Sequence, residues 1–172
     1  MNESYTEGAR VVNVLRQQYE WIRATRETLF VFLEQIPARH LHTALPGFGS
    51  GSIIRTHIHV ADCYLYWLGR FGLGQNDFVF ASEEEIIGSD VKRVRKRFDL
   101  VNETVERFVQ VHDGQWDWTI CCDVRWQEEP VKTTPLWLLT HAVTHEFHHK
   151  GQIVAMARHL GHVPPDTDLV LP

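Results

Sequence analysis

From Thr134 to Gly161 the sequence carries one unbroken helical pattern with a row of histidines along it. Thr134 and Pro135 are N-cap and first-turn residues, and Leu136, Leu139, Val143, Phe147, Ile153, Val154 and Ala157 follow at helical spacing. Gly161 and then Pro164-Pro165 end the pattern, so a helix is expected from about Pro135 to Leu160. Residues four apart on a helix lie about 40° apart around its axis, which sets His141, His145 and His149 in one stripe. Gln152 extends the stripe by a turn, and His148 flanks it. Neutral imidazoles at i and i+4 reach the same point beside a helix and can hold one divalent metal ion there.

Three further segments share the helical period. Val11, Leu15, Ile22, Leu29, Leu33 and Ile36 predict a helix from about Gly8 to Ile36, ended by Pro37. After the glycine-rich loop Pro46 to Gly51, Ser52 is the expected N-cap of a helix running to about Arg70, with Ile54, Ile58, Ala61, Leu65 and Leu68 on its apolar side. Val94, Phe98, Val101, Val105 and Phe108 predict a helix from Ser89 to His112. Phe78-Val79-Phe80 reads as a short extended piece. Alternation of Trp116, Trp118 and Ile120, then of Val124 and Trp126, reads as a hairpin turning at Gln127 to Pro130 and returning through Val131 to Thr133. The expected fold is all-α, a four-helix bundle with a small β excursion before the last long helix, in a single domain spanning residues 1–172.

Composition narrows the functional classes. A net charge of −5 argues against a general nucleic-acid binder. The basic run Lys92 to Arg97 lacks interleaved aromatics and reads as the solvated face of its helix. No apolar run approaches the ~20 residues that span a bilayer, and Met1 is followed by polar residues, so no membrane partner is expected. Cys63, Cys121 and Cys122 form no disulfide framework, which fits a reducing cytoplasm.

His145-Glu146-Phe147-His148-His149 satisfies H-E-x-x-H, the zinc-protease pattern. The third ligand that such a protease needs is missing, because no Glu follows Glu146 and Gln152 and Ala155 occupy the positions of the extended motif. A different match is longer. His145-x-x-x-His149-Lys150-Gly151-Gln152 resembles the H-x-x-x-H-R-G-Q signature of the DinB/YfiT-like family of metalloenzymes. Ile58-His59-Val60-Ala61-Asp62 resembles its H-I-A-D segment, and Gly161 to Asp168 its closing G-x-x-P-P-x-T-D. The resemblance covers nearly the whole chain, is specific in the last forty residues and loose in the first fifty.

The resemblance implies a DinB-like bundle whose metal ligands fall on His59, His145 and His149, with Lys150 where arginine is usual. Three protein ligands leave positions for water or substrate, so a metal-bound water or thiolate would be the reactive species. It further implies a small-molecule substrate, a homodimer, and either transfer of a low-molecular-weight thiol to an electrophile or metal-dependent hydrolysis; a non-catalytic metal-binding stress-response module is the reading from another class. Zn²⁺, Ni²⁺, Fe²⁺ and Mn²⁺ all suit three imidazoles. Asp62, three residues after His59, can orient a ligand imidazole, and His141, His148 and Gln152 are further groups beside the stripe. His57 points about 200° away from His59 and is expected at a surface or interface. Cys63, at i+4 from His59, can approach the metal, although its residue type favours a buried apolar place.

Overall fold

The computed structural model describes residues 3–49, 51–124 and 126–169, and side chains from Val11 onward; Ser50 of the predicted loop lies outside them. The elements in order are α1 (Glu3–Leu33), α2 (Ala38–His42), α3 (Ile53–Tyr64) with a π-helical continuation (Leu65–Gly72), α4 (Glu83–Ile87), α5 (Val91–Val111), β1 (Ile120–Cys122), β2 (Val131–Thr133) and α6 (Pro135–His159). The long helices α1, α3, α5 and α6 form the bundle. No helix among the described residues is long and apolar enough to cross a membrane.

Capping chemistry sets most boundaries. Ser52 Oγ accepts from Arg55 N and Thr134 Oγ1 from Trp137 N, so α3 and α6 begin where the sequence places them. Asp90, not Ser89, caps α5 through Arg93 N. Gly161 takes a positive φ of 84° at the end of α6, and His162 N reaches back to Ala157 O, a glycine-terminated helix end. At the other end of the chain α1 stops at Leu33, short of the predicted Ile36. A residue before proline is driven out of the helical region, and Pro37 itself becomes the N-cap of the short α2.

The arrangement around α3 decides the rest. α3 packs against α6 on one side and α5 on the other, and α5 also receives α1. Ile53, Leu68, Phe108, Leu138 and Met156 fill the centre and are fully buried. From Leu65 to Gly72 the turns widen to i→i+5 bonding, and Gly72 is pressed against the Phe108 ring. A Cβ at Gly72 would run into that ring, so Gly72→Ala is expected to cost about 1–3 kcal/mol by overpacking, readable as a lower urea midpoint at unchanged slope.

Phe78 to Phe80 forms no strand; Phe78 and Phe80 instead lay their rings on Tyr66 of the widened turns. The hairpin is shorter than its alternation predicts: β1 and β2 pair antiparallel in the register Ile120 with Thr133, Cys121 with Lys132 and Cys122 with Val131. Its turn carries Trp126 onto Tyr66 and Trp67, at centroid distances of 5.3 and 5.7 Å. The basic run of α5 is only partly a solvated face. Arg95 pairs with Glu27 of α1 and with Glu34 just past its end, and Arg97 donates to Asp62 of α3, so these two side chains fasten α5 to its neighbours.

Candidate metal centre

Two pairs of side chains face each other where α3 packs on α6. His59 and Cys63 sit four apart on α3, and His145 and His149 four apart on α6, so each pair projects from one helical face. Across the interface the His59 ring lies 5.1 Å from that of His145 and 4.9 Å from that of His149, centroid to centroid. His145 Nε2 and His149 Nε2 are 3.0 Å apart. Cys63 Sγ stands 3.7 Å from both His59 Nε2 and His145 Nε2. One donor atom from each of His59, Cys63 and His145 lies within 4.8 Å of the others.

The rings are half-buried, and burial holds them neutral. It lowers the basicity of His59 and His149, and with the neighbouring imidazoles it pushes His145 down to about 3. Neutral imidazole is the ligating form. Burial, reinforced by the Asp62 carboxylate, pushes the Cys63 thiol up to about 12. His149 Nδ1 is 2.7 Å from Gln152 Oε1; with its proton on Nδ1 donated there, the Nε2 lone pair is free to face His145. Gln152 Nε2 also lies 3.2 Å from Nε2 of the exposed His148.

The donor set of His59, Cys63 and His145 fits a divalent ion, and His149, outside that set, meets it through His145. At metal–nitrogen distances of about 2.1 Å, two imidazoles on one ion stand about 3.0–3.4 Å apart, depending on the angle between them. The 3.0 Å between His145 and His149 lies in that range. His145 Nδ1 is buried without a hydrogen-bond partner among the described residues. That orphaned nitrogen is on the other side of the ring from Nε2, the atom that faces His149 and Cys63.

The other residues singled out by sequence divide. His141 continues the stripe, 5.8 Å from the His145 ring, but it is stacked on Trp137 at 4.9 Å and 5° and touches Trp67 edge-on. Asp62 does not orient a site imidazole: its oxygens accept from Ala81 N and Arg97 Nε, because at three residues from His59 it has rotated toward α5. His57 is not a surface residue. It points away from His59 as expected, yet α3 is covered on that side too, and the ring lies between Phe30 and Phe98. Cys63 is not a purely apolar cysteine, since its sulfur belongs to the donor cluster.

Glu146, the glutamate of the H-E-x-x-H pattern, turns into the bundle on a neighbouring face of α6. It is 6% exposed, its carboxylate accepts from Arg26 Nε at 2.6 Å and Nη2 at 2.9 Å, and Tyr64 Oη donates to it at 2.7 Å. Lys150 stands over the Phe147 ring and donates to Thr167 O, so it tethers the closing segment to α6. Sequence reasoning missed the Arg26 network altogether. An arginine on an otherwise apolar helical face was its available signal.

A model of the DinB family matches residues 1–171. Among curated proteins, the chain is 26% identical over 153 residues to Protein DinB of Bacillus subtilis (strain 168), an alignment covering 87% of this chain and 88% of that protein. With the helix order, the four-helix bundle and the family match over nearly its full length, the chain belongs to the DinB family.

Proposed function

We propose that this chain is a divalent-metal enzyme in which His59, His145 and His149 hold the ion and a small-molecule electrophile is attacked beside it by a low-molecular-weight thiol. The observation that carries the reading is the meeting of His59 with His145 and His149 across one helix pair, in a half-buried place that solvent still reaches. A bound divalent ion would supply the acidity that makes a thiolate, or a hydroxide in the hydrolytic variant, available at neutral pH. The chain's own side chains do the remainder. Gln152 fixes the tautomer of His149. The stacked rings of Trp137 and His141, with Trp67 edge-on to both, give an aromatic surface next to the donors, suited to seating the apolar part of a substrate and to limiting water there.

Elemental analysis of chelator-free protein, wild type beside His59→Ala, tests the ligand set. About one divalent ion per chain in the wild type and a loss of most of it in the variant is expected, because removing one of three ligands eliminates a third of the protein's donors. Full occupancy in His59→Ala would remove the α3 ligand and with it this reading. Thiol-dependent consumption of a generic electrophile by the loaded wild type, absent in the variant, then separates an enzyme from a metal-retaining protein.

A further inference from the structure

Cys63 is the one donor of the cluster that the three-histidine assignment leaves without a role. Its sulfur is equidistant from His59 Nε2 and His145 Nε2, at 3.7 Å from each. A sulfur about 2.3 Å and a nitrogen about 2.1 Å from the same ion stand about 3.6 Å apart at a tetrahedral angle. The separation from His145 Nε2 matches that value, whereas against His59 the sulfur lies beside the ring, 3.7 Å from Nε2 and 3.9 Å from Nδ1, so a turn of the His59 side chain is needed to aim its lone pair at an ion shared with Sγ. Helical spacing explains how the match arises: Cys63 lies one turn beyond His59 on the face turned to α6, as His149 lies one turn beyond His145. The other two cysteines, Cys121 and Cys122, belong to the hairpin strand β1.

We propose that Cys63 is a fourth ligand of the same ion, bound through Sγ as the thiolate. On ligation Cys63 gives its thiol proton to solvent and a sulfur lone pair to the ion, with no change of oxidation state. The inference rests on the metal site proposed above. It gives that site a protein thiolate where a three-histidine centre would hold solvent, and so a bias toward softer, thiolate-accepting ions such as Zn²⁺ over Mn²⁺. It also means that an external thiol reaches the ion by replacing Cys63 or by adding to the four protein donors.

The test uses Co²⁺ as an optical probe in full-length protein, without added thiol. The wild type is expected to bind about one Co²⁺ per chain and to show intense near-ultraviolet absorption from sulfur-to-cobalt charge transfer. Cys63→Ser and Cys63→Ala should still bind Co²⁺ while losing that absorption, and Cys121→Ser with Cys122→Ser should keep it. X-ray absorption of the zinc-loaded wild type provides the second readout, with one sulfur at about 2.3 Å expected. Co²⁺ bound by the wild type without the band, or a band that persists in both Cys63 variants, overturns the fourth ligand and leaves the histidine site standing. No Co²⁺ or Zn²⁺ bound by the wild type overturns both.

Discussion

Replacing Glu146 by Leu is expected to destabilise the fold by about 3–5 kcal/mol, the usual result of removing one partner of a buried ion pair. Arg26 is 4% exposed, and its guanidinium is held charged: burial opposes the charge, but the Glu146 carboxylate outweighs it. Without Glu146 the cation keeps Asn102 Oδ1 at 3.1 Å and the face of Phe98 but no counter-charge, and Tyr64 Oη loses its acceptor. The pair is not by itself a net source of stability, since two buried charges give up their hydration to meet. Changing Arg26→Met, Glu146→Leu and Tyr64→Phe together is therefore expected to recover most of the loss. Urea unfolding of the single and triple variants measures both effects. A single variant within about 0.5 kcal/mol of wild type would mean that the pair is solvated.

The pair also concerns the site. Arg26 comes from α1, Asn102 from α5, Tyr64 from α3 and Glu146 from α6, so one polar cluster fixes how all four long helices are turned. Glu146 immediately follows His145 and projects about 100° around α6 from it, on the face turned to Arg26 and Tyr64. Its bond to Arg26 sets the rotation of the helix that presents His145 and His149.

Lowering the pH from 7.5 to 5 is expected to remove about 2 kcal/mol of stability through His57 alone. Burial, with the Arg26 cation adding to it, holds this imidazole down at about 3, whereas it titrates near 6.5 in the unfolded chain. Below about pH 6.5 the unfolded state therefore binds a proton that the folded state does not. Stability falls with pH through that window and stops falling only near the folded value. Because pH 5 lies well above 3, the size of the loss is set by the unfolded chain. In His57→Leu, which keeps an apolar side chain between Phe30 and Phe98, this part of the slope should vanish. Urea unfolding of both proteins at the two pH values, in chelator, gives the difference, since the contributions of the cluster histidines cancel between them. Equal slopes would show that His57 takes up a proton inside the fold.

How much of this was legible in the sequence depended on the kind of signal. Thr134, Pro135 and Gly161 act locally, through their own backbone and side-chain chemistry, and they located α6 within a residue. Ser82 and Glu85 form a capping box of the same kind and mark α4, which the apolar pattern is too short to reveal. The histidine stripe was legible because helical period alone brings His145 and His149 together. Its meeting with His59 follows from which helices are neighbours, and here the resemblance supplied what periodicity could not. The departures on α3 share one cause. Helical phase says which way His57, Asp62 and Cys63 point from the axis of α3, but not what lies in each direction. α3 is enclosed by α5 and α6, so the side opposite His59 is core and not solvent.

The widened turns from Leu65 to Gly72 bear on how such a chain can vary. A helix takes up an added residue as a π-type turn without unwinding, and everything beyond the turn then changes its angle about the axis. His59 and Cys63 precede this segment, while Tyr66, Trp67 and Phe71 lie within it. A one-residue insertion or deletion there would re-aim the aromatic surface and leave the donor atoms of α3 where they are. The chain thus has one place where its length can change to alter what rests against the cluster, separate from the place that builds the cluster itself.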